Sequence, residues 1–283
     1  MENLRFYTEE TKGDTDFASK LAKHGEVYVN DAFGTAHRKH ASTAVIAQFF
    51  EDKICGKVMQ EELENAQKVL ENAQAPFTAI MGGAKVSDKI LIIEQLIGKV
   101  DNLLIGGGMA YTFFKAMGGN IGASLVENDK LDLATRLISK AKASKTKLYL
   151  PVDSVIADAF SNDAATQNAD NMNIQEKWMG LDIGQKAAIE YAQVVKNSKT
   201  ILWNGPMGVF EMEKFSKGTK AVAQAIAKAT QHAASSLIGG GDSAAAINQF
   251  GFSAQVSYVS TGGGALLKYL EGETLPAVLA LAK

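Results

Sequence analysis

Residues 237–246 of the chain read LIGGGDSAAA. An apolar run leads into three glycines, an acid and a hydroxyl, and small helix-forming residues follow. This order predicts a strand, a tight turn and the start of a helix. The free main-chain N–H groups at a helix N-terminus suit a phosphate. The chain contains no GxxxxGK[ST] loop, so any phosphate site would have to be built from several such turns.

The same order of strand, glycines and helix recurs from residue 77 onward. Apolar runs precede glycines at 77–81, 101–105, 199–203, 235–238 and 256–260, and a further strand is predicted at 147–152. Such units predict a parallel sheet with helices on both faces, which is a Rossmann-like three-layer α/β fold. Ligands in such folds bind beyond the carboxyl ends of the strands. We expect one shared rim for the glycine loops that begin at 82, 106, 205, 239 and 262.

The first part of the chain has a different pattern. The segment 54–76 is predicted to be one long helix that ends at Pro76 and separates the α/β repeat from residues 1–53. Within residues 1–53 a single strand is expected at 26–30, and one strand cannot form a sheet. The residues ENLRF, 2–6, have the character of a strand end that lacks its partner.

Composition narrows the class of protein. The chain has 283 residues with 46% hydrophobic content, which favours two domains over one. A formal net charge of -2 gives no indication of a nucleic-acid or membrane-surface partner. The single cysteine, Cys55, fits a reducing compartment and an inert packing role. No apolar run reaches transmembrane length and charged residues follow Met1, so we expect a soluble cytoplasmic protein.

Arginines are rare in this lysine-rich chain, and two of them stand near its start. Arg5 and Arg38 lie within the first 40 residues. The planar fork of arginine suits carboxylate and phosphate, so both are candidates for binding an anionic substrate, with ordinary surface solubility as the alternative. His37 and His40 flank Arg38. A basic cluster for an anion is favoured over a metal site there, because no third ligand is nearby.

Two lysines in GGAKVSDK stand four residues apart. Lys85 and Lys89 would share one face of a helix that begins at Lys85. Two lysines at a helix N-terminus oppose the helix dipole unless an anion is bound there. A nucleotide phosphate is the natural candidate, and two solvated surface lysines are the alternative.

Polar residues follow the glycines of two further loops. Asp242 and Ser243 either cap a helix or form a site in which one carboxylate holds Mg²⁺ while phosphates and waters complete its coordination. Asn204 can donate to a phosphate, and Glu211 can accept from ribose hydroxyls or cap its helix. Together with the lysines and the arginine pair, these groups suit phosphoryl transfer, which depends on positioning and charge neutralisation. No Ser-His-Asp or Cys-His grouping and no dinucleotide fingerprint competes with this interpretation.

Eight motifs in one order resemble the phosphoglycerate kinase family, namely ENLRF, YVNDAFGTAHR, GGAKVSDK, IGGGMA, WMGLD, WNGPMGVFE, GGGDS and STGGGA. The resemblance runs from residue 2 to the end of the chain. It implies a two-lobed α/β phosphotransferase with a carboxyl group as acceptor. The reaction is reversible transfer between 1,3-bisphosphoglycerate with Mg-ADP and 3-phosphoglycerate with Mg-ATP in glycolysis. The resemblance also implies a monomer.

The resemblance assigns roles to the matching residues. Arg5 and Arg38 would bind the phosphoglycerate. Lys85 and Arg38 would act on the transferring phosphoryl group, to which Gly263 and Gly264 would present a helix N-terminus. Asp242 would hold the metal as well as the nucleotide. The nucleotide-binding set would be Lys89, Gly107, Gly108, Gly180, Asn204, Glu211, Gly240, Gly241, Asp242 and Ser243.

The resemblance also divides the chain. It makes 1–53 a remnant of the phosphoglycerate-binding lobe, 54–76 the inter-lobe helix, 77–265 the Mg-nucleotide lobe and 266–283 a tail that returns toward the first lobe. Family members carry a further segment before ENLRF, so the first lobe is expected to be incomplete and this chain weak or inactive. The alternatives are a nucleotide-binding fragment without catalysis, a fragment completed in trans by a separate first-lobe chain, and an incomplete product without independent function.

Overall fold

A computed structural model of the chain describes residues 2–282. Contacts divide the described chain into two compact units. Unit 1 comprises the described residues up to Leu70 together with those from Ser260 onward, and unit 2 comprises Glu71–Val259. Unit 1 is therefore discontinuous in sequence, because the last residues of the chain pack with the first. The lobe assignments at 1–53, 54–76, 77–265 and 266–283 remain predictions.

The regular elements are numbered in chain order. The strands are β1 Tyr28–Asn30, β2 Lys53–Cys55, β3 Phe77–Met81, β4 Asn102–Ile105, β5 Asn120–Ile121, β6 Lys147–Tyr149, β7 Asp153–Ala157, β8 Thr166–Asp170, β9 Asn173–Ile174, β10 Met179–Ile183, β11 Thr200–Asn204, β12 Ser235–Gly239 and β13 Tyr258–Val259. The α-helices are α1 Thr8–Lys12, α2 Thr15–Ala22, α3 Lys57–Leu70, α4 Ile90–Leu96, α5 Met109–Ala116, α6 Leu131–Lys142, α7 Gln185–Lys196, α8 Lys217–Gln231, α9 Gly241–Gln249, α10 Gly264–Leu270 and α11 Pro276–Ala282. Short 3₁₀ segments lie at Leu4–Phe6, Phe33–Thr35, Val45–Phe49, Asn128–Lys130, Glu213–Phe215 and Ser253–Gln255.

Unit 1 corrects three expectations from the sequence. β1 pairs with β2 in a parallel two-stranded sheet, so the strand near 26–30 does have a partner. The predicted helix over 54–76 is shorter, because residues 53–55 are extended in β2 and α3 begins at Lys57 and ends at Leu70. The ENLRF motif forms a 3₁₀ turn over Leu4–Phe6 instead of a strand end.

Unit 2 is built on a six-stranded parallel sheet of order β13-β12-β11-β3-β4-β6. All five residues of β3 and of β11 are buried, which explains why these central strands are continuous apolar runs. Trp203 lies opposite Ile80 in the register, and both side chains are fully buried. The order of strands along the chain reverses between β3 and β11, so this pair marks the topological switch point. The predicted α/β fold with a helix-flanked parallel sheet is confirmed.

Unit 2 also contains strands that the sequence did not reveal. β7 lies between β10 and β8 in an antiparallel sheet, and β5 pairs with β9. β8 has the sequence TQNAD, which has no alternating apolar pattern because this edge strand is mostly exposed.

Two buried carboxyl groups of this second sheet accept hydrogen bonds from the N-terminal turns of the neighbouring helices α7 and α8. The carboxylate of Asp153 accepts from Ala187 N at 2.8 Å, in the first turn of α7. Asp182 Oδ2 accepts from Gly218 N at 2.7 Å, in the first turn of α8. Asp182 pairs with Val155 in the register of β10 and β7, so α7 and α8 begin at the same end of this strand pair and run side by side. Burial raises the pKa of Asp182 to about 8.

Among the described helices, none has both the length and the apolar character that a membrane span requires.

Candidate functional site

The loops after β3 and β11 interlock at the switch point. Gly82 N donates to Asn204 O at 2.9 Å, and Gly83 N donates to Pro206 O at 3.0 Å. A Cβ at position 82 would lie 2.1 Å from Pro206 O, closer than real Cβ atoms approach an oxygen. Gly107 N, from the loop after β4, donates to Met207 O at 3.0 Å. Glycine is required here because the backbones approach so closely.

An open cleft of about 470 Å³ lies at this rim of unit 2. Its wall consists of glycines and apolar side chains, with two carboxylates. Five of the sequence-predicted nucleotide residues contribute to it, namely Gly107, Gly108, Gly180, Glu211 and Asp242. The other lining residues are Gly83, Ala84, Ala123, Leu125, Phe160, Met179, Leu181, Pro206, Gly208 and Val209. An apolar, glycine-lined cleft with a few polar groups has the general form of a small-molecule site.

Gly180 lines the cleft, and no larger residue fits at this position. A Cβ at this position would lie 1.8 Å from the Tyr111 hydroxyl oxygen. That hydroxyl is fixed by a 2.6 Å hydrogen bond with Ser154 Oγ, and Gly180 N donates to Ser124 Oγ at 2.9 Å. The tyrosine ring therefore supports the cleft from behind.

Lys85 and Lys89 do not share a helix face, which corrects the sequence-based expectation. α4 begins only at Ile90, and Lys89 occupies the position before it. Lys85 lies in the preceding loop, where it is exposed. Lys89 Nζ instead contacts Oδ1 of the buried Asn204, whose Nδ2 donates to Gly239 O at 2.9 Å.

Glu127 holds the loop that carries these lysines, and sequence reasoning missed it. Its Oε2 accepts from Ser87 N at 3.0 Å, and its other oxygen accepts from the Ser87 hydroxyl. Glu127 is itself held by Thr112, because Glu127 N donates to Thr112 Oγ1 at 3.1 Å. The partners are 40 residues apart, so no local motif could reveal the contact.

The GGGDS turn divides its polar groups between structure and solvent. Ser243 is buried, and its Oγ accepts from Gly205 N at 2.6 Å, which joins the β11 loop to α9. Gly240 has a φ of 87°, a backbone conformation that favours glycine. Asp242 is exposed in the first turn of α9, and its carboxylate has no partner among the described residues. A Cβ built on Gly241 would meet nothing within 4 Å.

The donor set at Asp242 bears on a metal. No group of three or more His, Cys, Asp or Glu side chains between residues 2 and 282 is arranged to hold a metal ion. A cation here would have one protein carboxylate and would take its other ligands from phosphates and water. Mg²⁺ is commonly bound in that way, so the residues present fit it.

Unit 1 contains the remaining predicted residues, beginning with the loop before α10. The buried Glu62 of α3 fixes this loop, because its carboxylate accepts from Ser260 Oγ at 2.6 Å and from Thr261 N at 2.7 Å. Gly263 has a φ of 50°, and a Cβ at Gly264 would lie 3.5 Å from His37 Nε2. Glu62 could not be predicted from the sequence, because a glutamate within an amphipathic helix has the appearance of an ordinary surface residue.

Two arginines and two histidines form a cluster of basic side chains in the same unit. Arg38 Nε donates to His37 Nε2 at 3.3 Å. Burial, and after it the Arg38 charge, lowers the pKa of His37. Burial also lowers the pKa of His40, Glu10 opposes that shift, and Arg38 and Arg5 reinforce it. Both predicted arginines therefore act on His40, while their own side chains are exposed. We call Arg5, His37, Arg38 and His40 the cationic cluster.

The chain matches the family model described as phosphoglycerate kinase over residues 1–273. The chain belongs to the phosphoglycerate kinase family. It is 52% identical to a phosphoglycerate kinase of Porphyromonas gingivalis, with 99% of this chain and 73% of the relative covered. It is 54% identical to that of Chloroherpeton thalassium, covering 100% of this chain and 71% of the relative. A relative from Nicotiana tabacum, described as cytosolic, is 52% identical over 99% of this chain and 70% of its own length.

Solved phosphoglycerate kinase structures agree with this assignment. The structure from Coxiella burnetii superposes with a TM-score of 0.93 at 44% identity, covering 99% of this chain and 71% of that chain. The structure from Pyrococcus horikoshii gives a TM-score of 0.84 at 31% identity, with the same coverage. The family resemblance and the phosphotransferase class inferred from the sequence motifs are thus confirmed.

Proposed function

We propose that the cleft of unit 2 binds the nucleotide of a phosphoglycerate kinase reaction. One observation carries this proposal. Gly107, Gly108, Gly180, Glu211 and Asp242 come from separate loops, yet they line one cleft of about 470 Å³. The glycines and apolar side chains would face an adenine ring, and Glu211 would accept from ribose hydroxyls. Gly240 before α9 and Gly241 at its first residue would let a phosphate approach the backbone there.

The phosphate end of this proposed site is the contact between Lys89 and Asn204. Both polar atoms of the Asn204 side chain have a partner, because Nδ2 donates to Gly239 O and Oδ1 accepts from Lys89 Nζ. Such a group can meet a phosphate without first losing conformational freedom. Ser243 acts in this proposal through Gly205, whose backbone it fixes. Asp242 would hold Mg²⁺, which when bound supplies charge neutralisation for the phosphates.

The acid substrate is assigned to unit 1 in this proposal. Arg5 and Arg38 of the cationic cluster would bind the phosphate and carboxylate of 3-phosphoglycerate. Lys85 would neutralise charge on the transferring group, and Gly263 with Gly264 would offer backbone N–H groups to it. In the forward direction an ADP oxygen bonds to the phosphorus of 1,3-bisphosphoglycerate, and the bond from that phosphorus to the carboxyl oxygen breaks. The products are 3-phosphoglycerate and ATP.

We infer that these 283 residues by themselves turn over slowly. The chain spans 73% of the length of the Porphyromonas gingivalis relative, and lost substrate positioning can raise a barrier by roughly 7–11 kcal/mol. Nucleotide binding without catalysis is the second candidate. The fact that every lining residue of the cleft belongs to unit 2 favours it. A monomeric, cytoplasmic protein remains part of the proposal.

Calorimetric titration with ADP, with and without Mg²⁺, tests the nucleotide site. We expect saturable binding that weakens about tenfold in Lys89→Ala, because a charge-assisted contact to phosphate is lost. Asp242→Asn should remove most of the dependence on Mg²⁺. Lys115→Ala, an exposed lysine in the last turn of α5, is the matched control. Equal weakening in Lys115→Ala, or no binding by the folded chain, would refute the site.

A turnover assay separates the two candidates. The purified chain is compared with an intact family member, before and after addition of a chain that carries the family's preceding segment. Recovery of activity on addition supports completion in trans. Turnover within tenfold of the intact enzyme without any addition would disprove the inference of slow turnover, whereas nucleotide binding that persists without turnover would favour a binding fragment.

A further inference from the structure

Unit 2 contains a second and larger cavity, of about 730 Å³. It is a groove that runs along α7 and α8, with the edge strand β8 contributing Thr166, Gln167 and Asn168 to its wall. It shares no lining residue with the nucleotide cleft. Neither the sequence motifs nor the proposed function uses it.

The lining residues of α8 follow a helical repeat. Lys217, Ala221, Ala225 and Lys228 all line the groove. They are spaced by four, four and three residues, which places them on one face of the helix. Lys217 and Lys228 are three turns apart, so their Cα atoms are separated by about 16 Å along the axis. The groove thus has a lysine at each end of an alanine floor.

The face of α7 repeats this arrangement. Gln185, Ala188, Ala192 and Lys196 line the groove at the same kind of spacing. Because α7 and α8 begin at the same end of the β7–β10 pair, Lys196 lies at the end that Lys228 occupies. Ile189, which is 63% exposed, adds a large apolar side chain to the middle.

The charges on the groove are unbalanced. Four lysines line it and no aspartate or glutamate does. Lys214 donates to Ala164 O at 2.9 Å, and none of the four forms an ion pair with a described residue. Lysines in the last turns of α7 and α8 are favoured by the helix dipoles, but Lys217 stands at the first residue of α8, where a positive charge is unfavourable. The first turn of α8 has no acidic residue of its own, and the acidic group in contact with this helix start is the buried Asp182 carboxyl, which accepts from Gly218 N.

We propose that this groove binds an elongated organic dianion, in which two carboxylate or phosphate groups flank an apolar body. One anionic group would meet Lys196 and Lys228, and the other would meet Lys217 and Lys214, which stands three residues before it in the chain. The alanine floor with Ile189 matches the apolar body. A polyphosphate would leave that floor without a partner. A neutral hydrophobic ligand would leave the lysines without one. The cavity volume lies in the range of small-molecule sites.

The test uses the full chain in saturating ADP, so that the nucleotide cleft is filled. Tetradecanedioate is the probe, and hexanedioate, tetradecanoate and dodecyltrimethylammonium are the comparison ligands in calorimetric titrations. We expect one saturable site for tetradecanedioate, with affinity at least about tenfold above that for hexanedioate, because the short dianion cannot reach both ends. Tetradecanoate should bind with intermediate affinity, and the cationic amphiphile should not bind.

Single substitutions then locate the site. Lys217→Gln and Lys228→Gln should each weaken tetradecanedioate binding about three- to tenfold, because each removes one exposed charge partner. Lys142→Gln is the matched control, since Lys142 is also an exposed lysine in the last turn of a helix. All three positions are exposed, so the variants should fold. The proposal is overturned by absence of binding, by equal loss in Lys142→Gln, or by equal affinity for the cationic amphiphile.

Discussion

The two units place their proposed substrate groups in different ways. In unit 2 the cleft is shaped by backbone, because glycine loops interlock through main-chain hydrogen bonds such as that from Gly83 N to Pro206 O. In unit 1 the cationic cluster is built from side chains, and Arg5 and Arg38 remain exposed. A backbone site is rigid and sensitive to the size of a residue. A side-chain site is adaptable and sensitive to charge and pH. The two units should therefore respond to different kinds of substitution.

The largest expected effect is steric and falls on unit 2. In Gly82→Ala the new Cβ would lie 2.1 Å from Pro206 O and 2.5 Å from Gly205 O. Both obstacles are main-chain atoms, so no rotamer change relieves the clash. We expect the free energy of unfolding to fall by about 3 kcal/mol or more, measured by urea denaturation.

Gly241→Ala is the control from the same rim. Nothing lies within 4 Å of a Cβ built there, and the residue is the first of α9. Because alanine favours helix over glycine, this variant should be unchanged or more stable by up to about 1 kcal/mol. If both variants lost equal stability, close backbone approach would not be what shapes the rim.

The next effect falls on unit 1 and concerns a buried charge. Glu62→Gln replaces a carboxylate that accepts from Ser260 Oγ, Thr261 N and Thr261 Oγ1. The amide of glutamine has one NH₂ group where the carboxylate has an oxygen, and this NH₂ would face groups that now donate to Glu62. The free energy of local unfolding should therefore fall by about 2–3 kcal/mol. Amide exchange at Thr261 should accelerate accordingly.

Glu64→Gln serves as its counterpart, because Glu64 is exposed on the same helix and its carboxylate accepts from Gln60 Nε2. It should leave exchange at Thr261 unchanged. Unchanged exchange in Glu62→Gln would mean that the loop before α10 is held by something other than this carboxylate.

The stability of unit 2 should depend on pH through a carboxyl group behind the nucleotide cleft. A Cβ at Gly208 would lie 2.3 Å from Asp182 Oδ1, so this carboxyl group packs directly against the loop. Burial raises the pKa of Asp182 to about 8, whereas an unfolded aspartate titrates near about 3.9. The folded state therefore holds the proton more tightly, and the stabilising contribution is complete below about pH 4 and is lost as pH rises toward 8.

We expect urea denaturation to show stability falling by about 2 kcal/mol or more from pH 5 to pH 8 relative to Asp182→Asn, which cannot titrate there. Parallel pH profiles for the two proteins would contradict the assignment of this titration to Asp182.

The contrast between the units also explains what the sequence could predict. Central strands such as β3 and β11 are buried on both faces, so their apolar runs are visible in the sequence. β8 was invisible because its side chains are exposed, and β2 lay unseen at the start of a predicted helix. The glycine loops were recognisable because each follows an apolar run.

Contacts that join distant residues were not predictable. Glu62, Glu127 and Asp182 each accept hydrogen bonds from distant segments of the chain. No local sequence pattern indicates which distant residue a given carboxylate will contact. The spacing of Lys85 and Lys89 suggested a helix face, yet the loop containing them is fixed by Glu127 from 40 residues away. Local periodicity therefore predicts elements, and tertiary hydrogen bonds decide where those elements begin.

The smallest expected effect tests charge in unit 1 by NMR titration of the histidines. An anion bound between Arg5 and Arg38 would favour the protonated form of the neighbouring imidazoles. Saturating 3-phosphoglycerate should therefore raise the pKa of His37 and His40 by about half a pH unit, which corresponds to less than about 1 kcal/mol. His24 and His232, which are exposed and outside the cationic cluster, should not move. Arg38→Ala should remove the ligand effect, because the histidines would then lack the bound anion. If the pKa of all four histidines rose equally, the cause would be ionic strength, and the result would contradict a binding site at the cationic cluster.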